Sequence, residues 1–261
     1  MSTPSSQKPT VAISGATSDL GIEVTKAFLK FSPDTFSRVL VLTRNPQSEK
    51  ASALGSLGAK LVQVDGALQP DVLKGVDVLV NTLGLTVSSE VSDSLFEAAI
   101  AAGVKVYFPS EYGIIQNHAW FHEITRHVAA ARNAGAKRLK VIQLLTGMFT
   151  EWVFAPYVGF DTKGGVYTSL GLGTAEKKIA ITSIRDIGAA LTRLAILALA
   201  DHTLVPDQVR ITGDNQSINE LADIIGGEIG KKITVVDEPV TKSSGQPDGE
   251  GLSSFIQCVF S

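Results

Sequence analysis

The chain is poor in the features that would commit it to many kinds of protein. Its one cysteine, Cys258, excludes an internal disulfide framework and suits a reducing compartment. Neither sign of charge dominates: the net charge is −3, which gives no global electrostatic reason for binding nucleic acid. Long apolar runs are missing too. The most apolar stretch, Ala189 to Ala200, is interrupted by Thr192 and Arg193 and is too short to span a bilayer. The first ten residues are polar, contain Pro4 and Pro9, and carry no apolar core of a secretory signal. These absences lead us to expect a cytoplasmic protein with no membrane partner and no direct nucleic-acid partner. A 44% apolar content still supplies a substantial core.

Several catalytic signatures are absent as well. There is no Walker loop and no Gly-x-Ser-x-Gly elbow; Ser110 follows a proline in a different context. His118 and His122 are one helical turn apart, but His127 is five residues beyond His122, off that face, so no metal site is expected. Four residues after Tyr107, Tyr112, Tyr157 and Tyr167 stand Glu111, Gln116, Asp161 and Gly171. No Tyr-x-x-x-Lys pair is therefore present, and with it goes the usual way of lowering a tyrosine pKa for proton transfer.

What is present begins at the first strand. Val11-Ala12-Ile13 runs into Gly15-Ala16-Thr17-Ser18-Asp19-Leu20-Gly21 and then an amphipathic helix. A glycine-rich turn between a first strand and a first helix is where a doubly wound α/β domain holds the diphosphate of a dinucleotide, on N–H groups of the helix N-terminus. Gly15 permits the sharp turn and Gly21 close helix–strand packing. Ser18 stands where the middle glycine of that pattern belongs.

Alternation then continues. Strands are expected at Thr10–Ser14, Arg38–Thr43, Lys60–Val64, Val76–Thr82, Lys105–Pro109 and Lys140–Leu145. Helices are expected at Leu20–Phe31, Pro46–Leu57, Ser89–Ala102 and His118–Ala134. This order argues for a parallel sheet covered on both faces. Beyond Thr146 lie an aromatic stretch, Met148–Phe160, and turns at Lys163-Gly164-Gly165 and Gly171-Leu172-Gly173. A helix Ile187–Ala200 capped by Asp186 follows, with a strand at Gln208–Thr212. Ser217-Ile218-Asn219-Glu220 has capping-box spacing for a helix to about Ile229, ahead of a strand at Ile233–Val236. We divide the chain into a flexible start (1–9), a Rossmann core (10–150), a substrate region that completes the fold (151–240) and a disordered tail rich in Ser, Gly and Asp (241–261).

The end of the second strand selects the dinucleotide. A carboxylate there would bind the ribose hydroxyls of NAD; the chain instead has Thr43-Arg44-Asn45, with no acid until Glu49. Arg44 can pair with a 2′-phosphate, which favours NADP(H). Asp65 ends the third strand, where it can meet adenine. Thr82-Leu83-Gly84 follows the fourth strand and Pro109-Ser110 the fifth, both at the carboxyl ends where open α/β sheets bind ligands. Thr17, Ser18, Asp19 and Leu20 complete the cofactor set. Tyr112, Trp120, Phe149, Trp152 and Phe154 are candidates for an apolar substrate pocket.

Together Gly15–Gly21, Val41-Leu42-Thr43-Arg44, the run Val104-Lys105-Val106-Tyr107-Phe108-Pro109-Ser110-Glu111-Tyr112-Gly113, and Gly147-Met148-Phe149 resemble the NmrA-like family. That family groups atypical short-chain dehydrogenases with isoflavone-reductase-like enzymes, and the likeness covers Thr10 to Glu238. It implies an α/β Rossmann-type doubly wound parallel sheet, NADP(H), and a small C-terminal substrate region. It implies either of two activities. One is NADPH-dependent hydride transfer to a small aromatic or conjugated carbonyl or alkene metabolite. The other is non-catalytic NADP(H) sensing through a protein partner. In the reductase branch a lysine four residues before an arginine serves as general base; counting back from Arg126 places His122 there. His122 and Tyr112 are the candidate proton donors, with solvent as the third source.

Overall fold

The computed structural model describes residues 8–84, 87–113, 139–170 and 175–238. The expected helix His118–Ala134, the turn Gly171-Leu172-Gly173 and the tail 241–261 lie outside the described residues. The chain divides into two units. One comprises residues 1–111, 120–144 and 184–209; the other comprises 112–119, 145–183 and 210–261.

The first unit is built on six strands: β1 (Thr10–Ser14), β2 (Arg38–Thr43), β3 (Lys60–Gln63), β4 (Val78–Asn81), β5 (Val106–Phe108) and β6 (Lys140–Val141). Their order is β3-β2-β1-β4-β5-β6 and each neighbouring pair is parallel. Ile13 lies between Val41 of β2 and Val80 of β4. β1 and β4 are buried throughout, as apolar strands covered on both faces must be, whereas the edge strand β3 is partly exposed. Strand order reverses between β1 and β4, so their carboxyl ends open the crevice in which this class of sheet binds ligands.

Three helices follow the early strands. α1 (Asp19–Leu29) buries Leu20, Val24, Ala27 and Phe28 along one stripe, and the Phe28 ring meets Phe36 edge-on at 5.2 Å. α2 (Glu49–Ser56) is shorter than the expected Pro46–Leu57, because Ser48 caps it by accepting the Ala51 N–H. α3 (Ser89–Ala102) ends at Gly103 in the left-handed region, with φ 75°.

A fourth helix, α4 (Ile184–Ala200), belongs to this unit although it comes late in the sequence. A Cβ on its Gly188 would lie 2.9 Å from the Glu23 carbonyl oxygen, so α4 and α1 pack backbone to backbone at that point. The Arg193 guanidinium sits 4.9 Å from the centre of the Phe31 ring. Asp186 lies inside the first turn of α4, which corrects its expected role as the cap. There the carboxylate still meets the positive end of the helix dipole.

The expected strand Lys140–Leu145 is two strands, β6 and β7 (Gln143–Leu145), interrupted at Ile142. In the second unit β8 (Met148–Phe149), β9 (Phe160–Asp161), β10 (Val166–Leu170) and β11 (Ile179–Thr182) follow. β12 (Gln208–Arg210) precedes β13 (Asp214–Gln216), and β14 (Thr234–Glu238) is the last strand. β11 pairs with β13 antiparallel and β8 parallel; β10 pairs with β14 parallel and β9 antiparallel.

The core of this unit includes Met148, Val153, Phe160, Tyr167, Ile218 and Leu221. α5 (Ile218–Ile229) carries the predicted capping box: Ser217 N–H donates to Glu220 at 2.7 Å, and the Glu220 N–H donates to Ser217 Oγ at 3.2 Å. The Ser217 N–H first, and then Lys178 at 2.9 Å, hold the Glu220 carboxyl below the usual carboxylate range. No helix among the described residues is long and apolar enough to cross a membrane.

Candidate dinucleotide site and substrate residues

The β1–α1 turn is shaped by what its glycines lack. Gly15 has φ 75°, and a Cβ there would come within 2.5 Å of the Thr82 carbonyl carbon and oxygen. A Cβ on Gly21 would lie 2.3 Å from the Gly15 carbonyl oxygen. Both positions exclude any side chain, the first by conformation and contact, the second by contact alone.

Ser18 sits between them as the N-cap of α1. Its backbone is ordinary extended chain, φ −72° and ψ 163°, so this position has no conformational need for glycine. Its hydroxyl accepts the Gly21 N–H at 3.0 Å and donates towards the Thr82 carbonyl at 3.4 Å. Among the described residues, the N–H groups of Thr17, Asp19 and Leu20 meet no acceptor. Unspent donors at a helix N-terminus are what an anion needs.

The ends of β4 and β5 are tied to this turn. Thr82 donates to the Ser14 carbonyl from both its N–H and its hydroxyl, each at 2.8 Å. The Leu83 N–H donates to Asn81 Oδ1 at 3.0 Å, and Ser110 Oγ donates to the Leu83 carbonyl at 2.7 Å. Asn81 Nδ2 is 3.4 Å from the buried Tyr107 hydroxyl. Gly15, Ser18, Thr82, Leu83 and Ser110 are thus brought together at the carboxyl ends of β1, β4 and β5. Pro109 is buried beside them, and Gly84 is exposed. Asn81, expected within the fourth strand but given no role at the site, ends β4 and accepts the Leu83 N–H, so it shapes the backbone after it; a polar residue closing the run Val78-Leu79-Val80 was its signal.

Arg44 follows β2, is exposed, and has no ion-pair partner among the described residues. Asp65 follows β3 and is exposed as well. Asp19, in the first turn of α1, meets Lys50 of α2 at 3.4 Å.

In the second unit Phe149 is buried and its ring lies 4.6 Å from that of Trp152, which is 39% exposed. Phe154 instead meets Phe160 edge-on at 5.3 Å, and the Phe160 ring lies 4.8 Å from that of Tyr167 at a tilt of 51°, within the core of that unit. Burial pushes the Tyr167 phenol up to about 12. Tyr112 is half-buried. Trp120 and His122 lie outside the described residues. No group of three or more metal-ligating side chains occurs among the described residues.

The chain is 37% identical over 111 residues to phenylcoumaran benzylic ether reductase PT1 of Pinus taeda, covering 40% of this chain and 35% of that protein. It is 25% identical over 167 residues to an NmrA-like family domain-containing oxidoreductase of Gibberella moniliformis, covering 61% and 53%. The matches thus span about a third and about half of the lengths of these curated relatives. In fold the chain is similar to leucoanthocyanidin reductase of Vitis vinifera, solved as a binary complex with NADPH. The TM-score is 0.75 at 20% identity, covering 96% of this chain and 86% of that one. That likeness confirms the Rossmann-type architecture. The profile of the NmrA-like family matches residues 7–250, and the chain belongs to that family.

Proposed function

We propose that the chain is an NADPH-dependent reductase acting on a small aromatic or conjugated carbonyl or alkene metabolite in the cytoplasm. The observation that carries this reading is the β1–α1 cradle: two positions closed to any Cβ, with three N–H groups between them that meet no acceptor among the described residues. Such a cradle fits a diphosphate in shape and charge. Arg44, exposed and without an ion-pair partner among the described residues, is assigned to the 2′-phosphate, and Asp65 to the adenine. Thr82, Leu83, Gly84, Pro109 and Ser110 complete the cofactor residues. The neighbouring fold solved with NADPH and the pine and fungal relatives support the same reading.

The nicotinamide, when bound, supplies the hydride. The chain supplies the accompanying proton from Tyr112 or His122, unless solvent delivers it. Tyr112, Trp120, Phe149, Trp152 and Phe154 are assigned to recognition of a flat substrate. A second reading, an NADP(H) sensor acting through a protein partner, is favoured by one observation: histidine stands at position 122 where the reductase branch carries its lysine.

Titration with NADPH and NADH, followed by turnover assays with aromatic enones, quinones and aldehydes, tests both. NADPH binding with turnover supports the reductase. Binding without turnover on any of these substrates supports the sensor, and failure to bind either dinucleotide overturns both.

A further inference from the structure

Ser18 is the place where this chain departs from the glycine pattern of its own turn, and the structure shows what the side chain does there. Its hydroxyl spends the Gly21 N–H at 3.0 Å, one of the helix N-terminal donors that an anion would otherwise use. The same oxygen reaches the Thr82 carbonyl at 3.4 Å, so it bridges the start of α1 to the end of β4. The backbone at Ser18 is unstrained, so the serine imposes no conformational cost on the turn. What the serine adds to the turn is the pair of contacts its hydroxyl makes.

We propose that the turn is a self-capped phosphate cradle, in which the Ser18 hydroxyl holds the Gly21 N–H and competes with a dinucleotide diphosphate for it. This rests on the dinucleotide reading above and adds to it: Ser18 sets the affinity for the cofactor. The free protein gains an N-cap, and the bound protein gives it up. Stability of the empty turn and affinity for the diphosphate therefore trade against each other at one oxygen atom.

The test uses the full chain with Ser18→Ala and Ser18→Gly. Binding is read from the fluorescence of NADPH during titration, and stability from the thermal midpoint without nucleotide. Both substitutions free the Gly21 N–H, so both should tighten NADPH binding, by about fivefold. Ser18→Ala should lower the midpoint by about 2–4 °C; Ser18→Gly should lower it less, because glycine is a tolerable cap. Tightening in Ser18→Gly alone would assign the effect to the Cβ and overturn the proposal. Weaker binding in both would make the hydroxyl a ligand of the phosphate and overturn it, as would unchanged affinity. If neither the wild-type protein nor either variant binds NADPH, the dinucleotide reading falls and the proposal with it. Binding by the wild type with one of the other failures removes self-capping alone.

Discussion

Gly15 and Thr82 touch through their backbones: a Cβ on Gly15 would stand 2.5 Å from the Thr82 carbonyl group. The glycine turn and the end of β4 are thus one packed unit. Gly15→Ala forces an L-residue to φ 75° and drives a methyl into that carbonyl. It should destabilise the protein by about 2–4 kcal/mol, read as a lowered denaturant midpoint at constant slope.

In the proposed function, Arg44 makes a charge-assisted contact that only the 2′-phosphorylated cofactor can use. Arg44→Ala is expected to weaken NADPH binding by about 10- to 100-fold. NADH affinity should stay within about twofold. Equal losses for the two nucleotides would remove the arginine from the 2′-phosphate.

His122→Ala and Tyr112→Phe separate the two proposed proton donors. The variant that removes the donor should slow single-turnover oxidation of NADPH by about 100-fold while leaving cofactor affinity nearly intact. Unchanged rates in both would leave solvent as the proton source.

Tyr167 should make the fold sensitive to alkali. The unfolded phenol ionises near its ordinary value of 10, whereas burial pushes the folded one up to about 12. Stability is therefore fully present below pH 10 and falls as pH rises towards 12, by about 3 kcal/mol in all. Tyr167→Phe should flatten that part of the profile, measured by urea unfolding across the window.

The capping box of α5 responds to acid in the opposite sense. The Glu220 carboxyl is held low by the Ser217 N–H, so its contribution is present above the ordinary carboxylate range and is lost as pH falls through the lowered folded value. The stability difference between wild type and Glu220→Gln should shrink to nothing in that acid range. Ser217→Ala should cost about 1 kcal/mol at neutral pH.

Much of the first unit was readable because its signals are local. β1 and β2 are unbroken apolar runs and α1 has an apolar stripe; in the second unit, Ser217 with Glu220 likewise spells its own cap. β8, β9, β10, β11 and β13 were not foreseen. β9 has only two residues, and β13 is Asp214-Asn215-Gln216, wholly polar and largely exposed, so neither carries an apolar period. Such strands exist because a partner pairs with them: the distant Ile179 with Gln216, and Val166 with Asp161 across a short turn.

In the β1–α1 turn, the need for glycine at Gly15 and Gly21 was legible from residue type and position. The role of Ser18 was not. A missing glycine reads as a loss in the sequence, and only the 3.0 Å contact to the Gly21 N–H shows what replaced it. Phe154 shows the same limit from the other side, since spacing alone does not separate a residue packed on Phe160 from one facing solvent.

The backbone contact between Gly188 and Glu23 also sets a schedule for synthesis. α1 emerges from a ribosome early, but the helix that packs on it is translated only after residues 145–183, which belong to the other unit. At ordinary elongation rates α1 waits about 10–30 s with that flank uncovered. The unit that starts first is thus completed late, and for that interval the nascent chain must be kept from pairing its bare helix with a stranger.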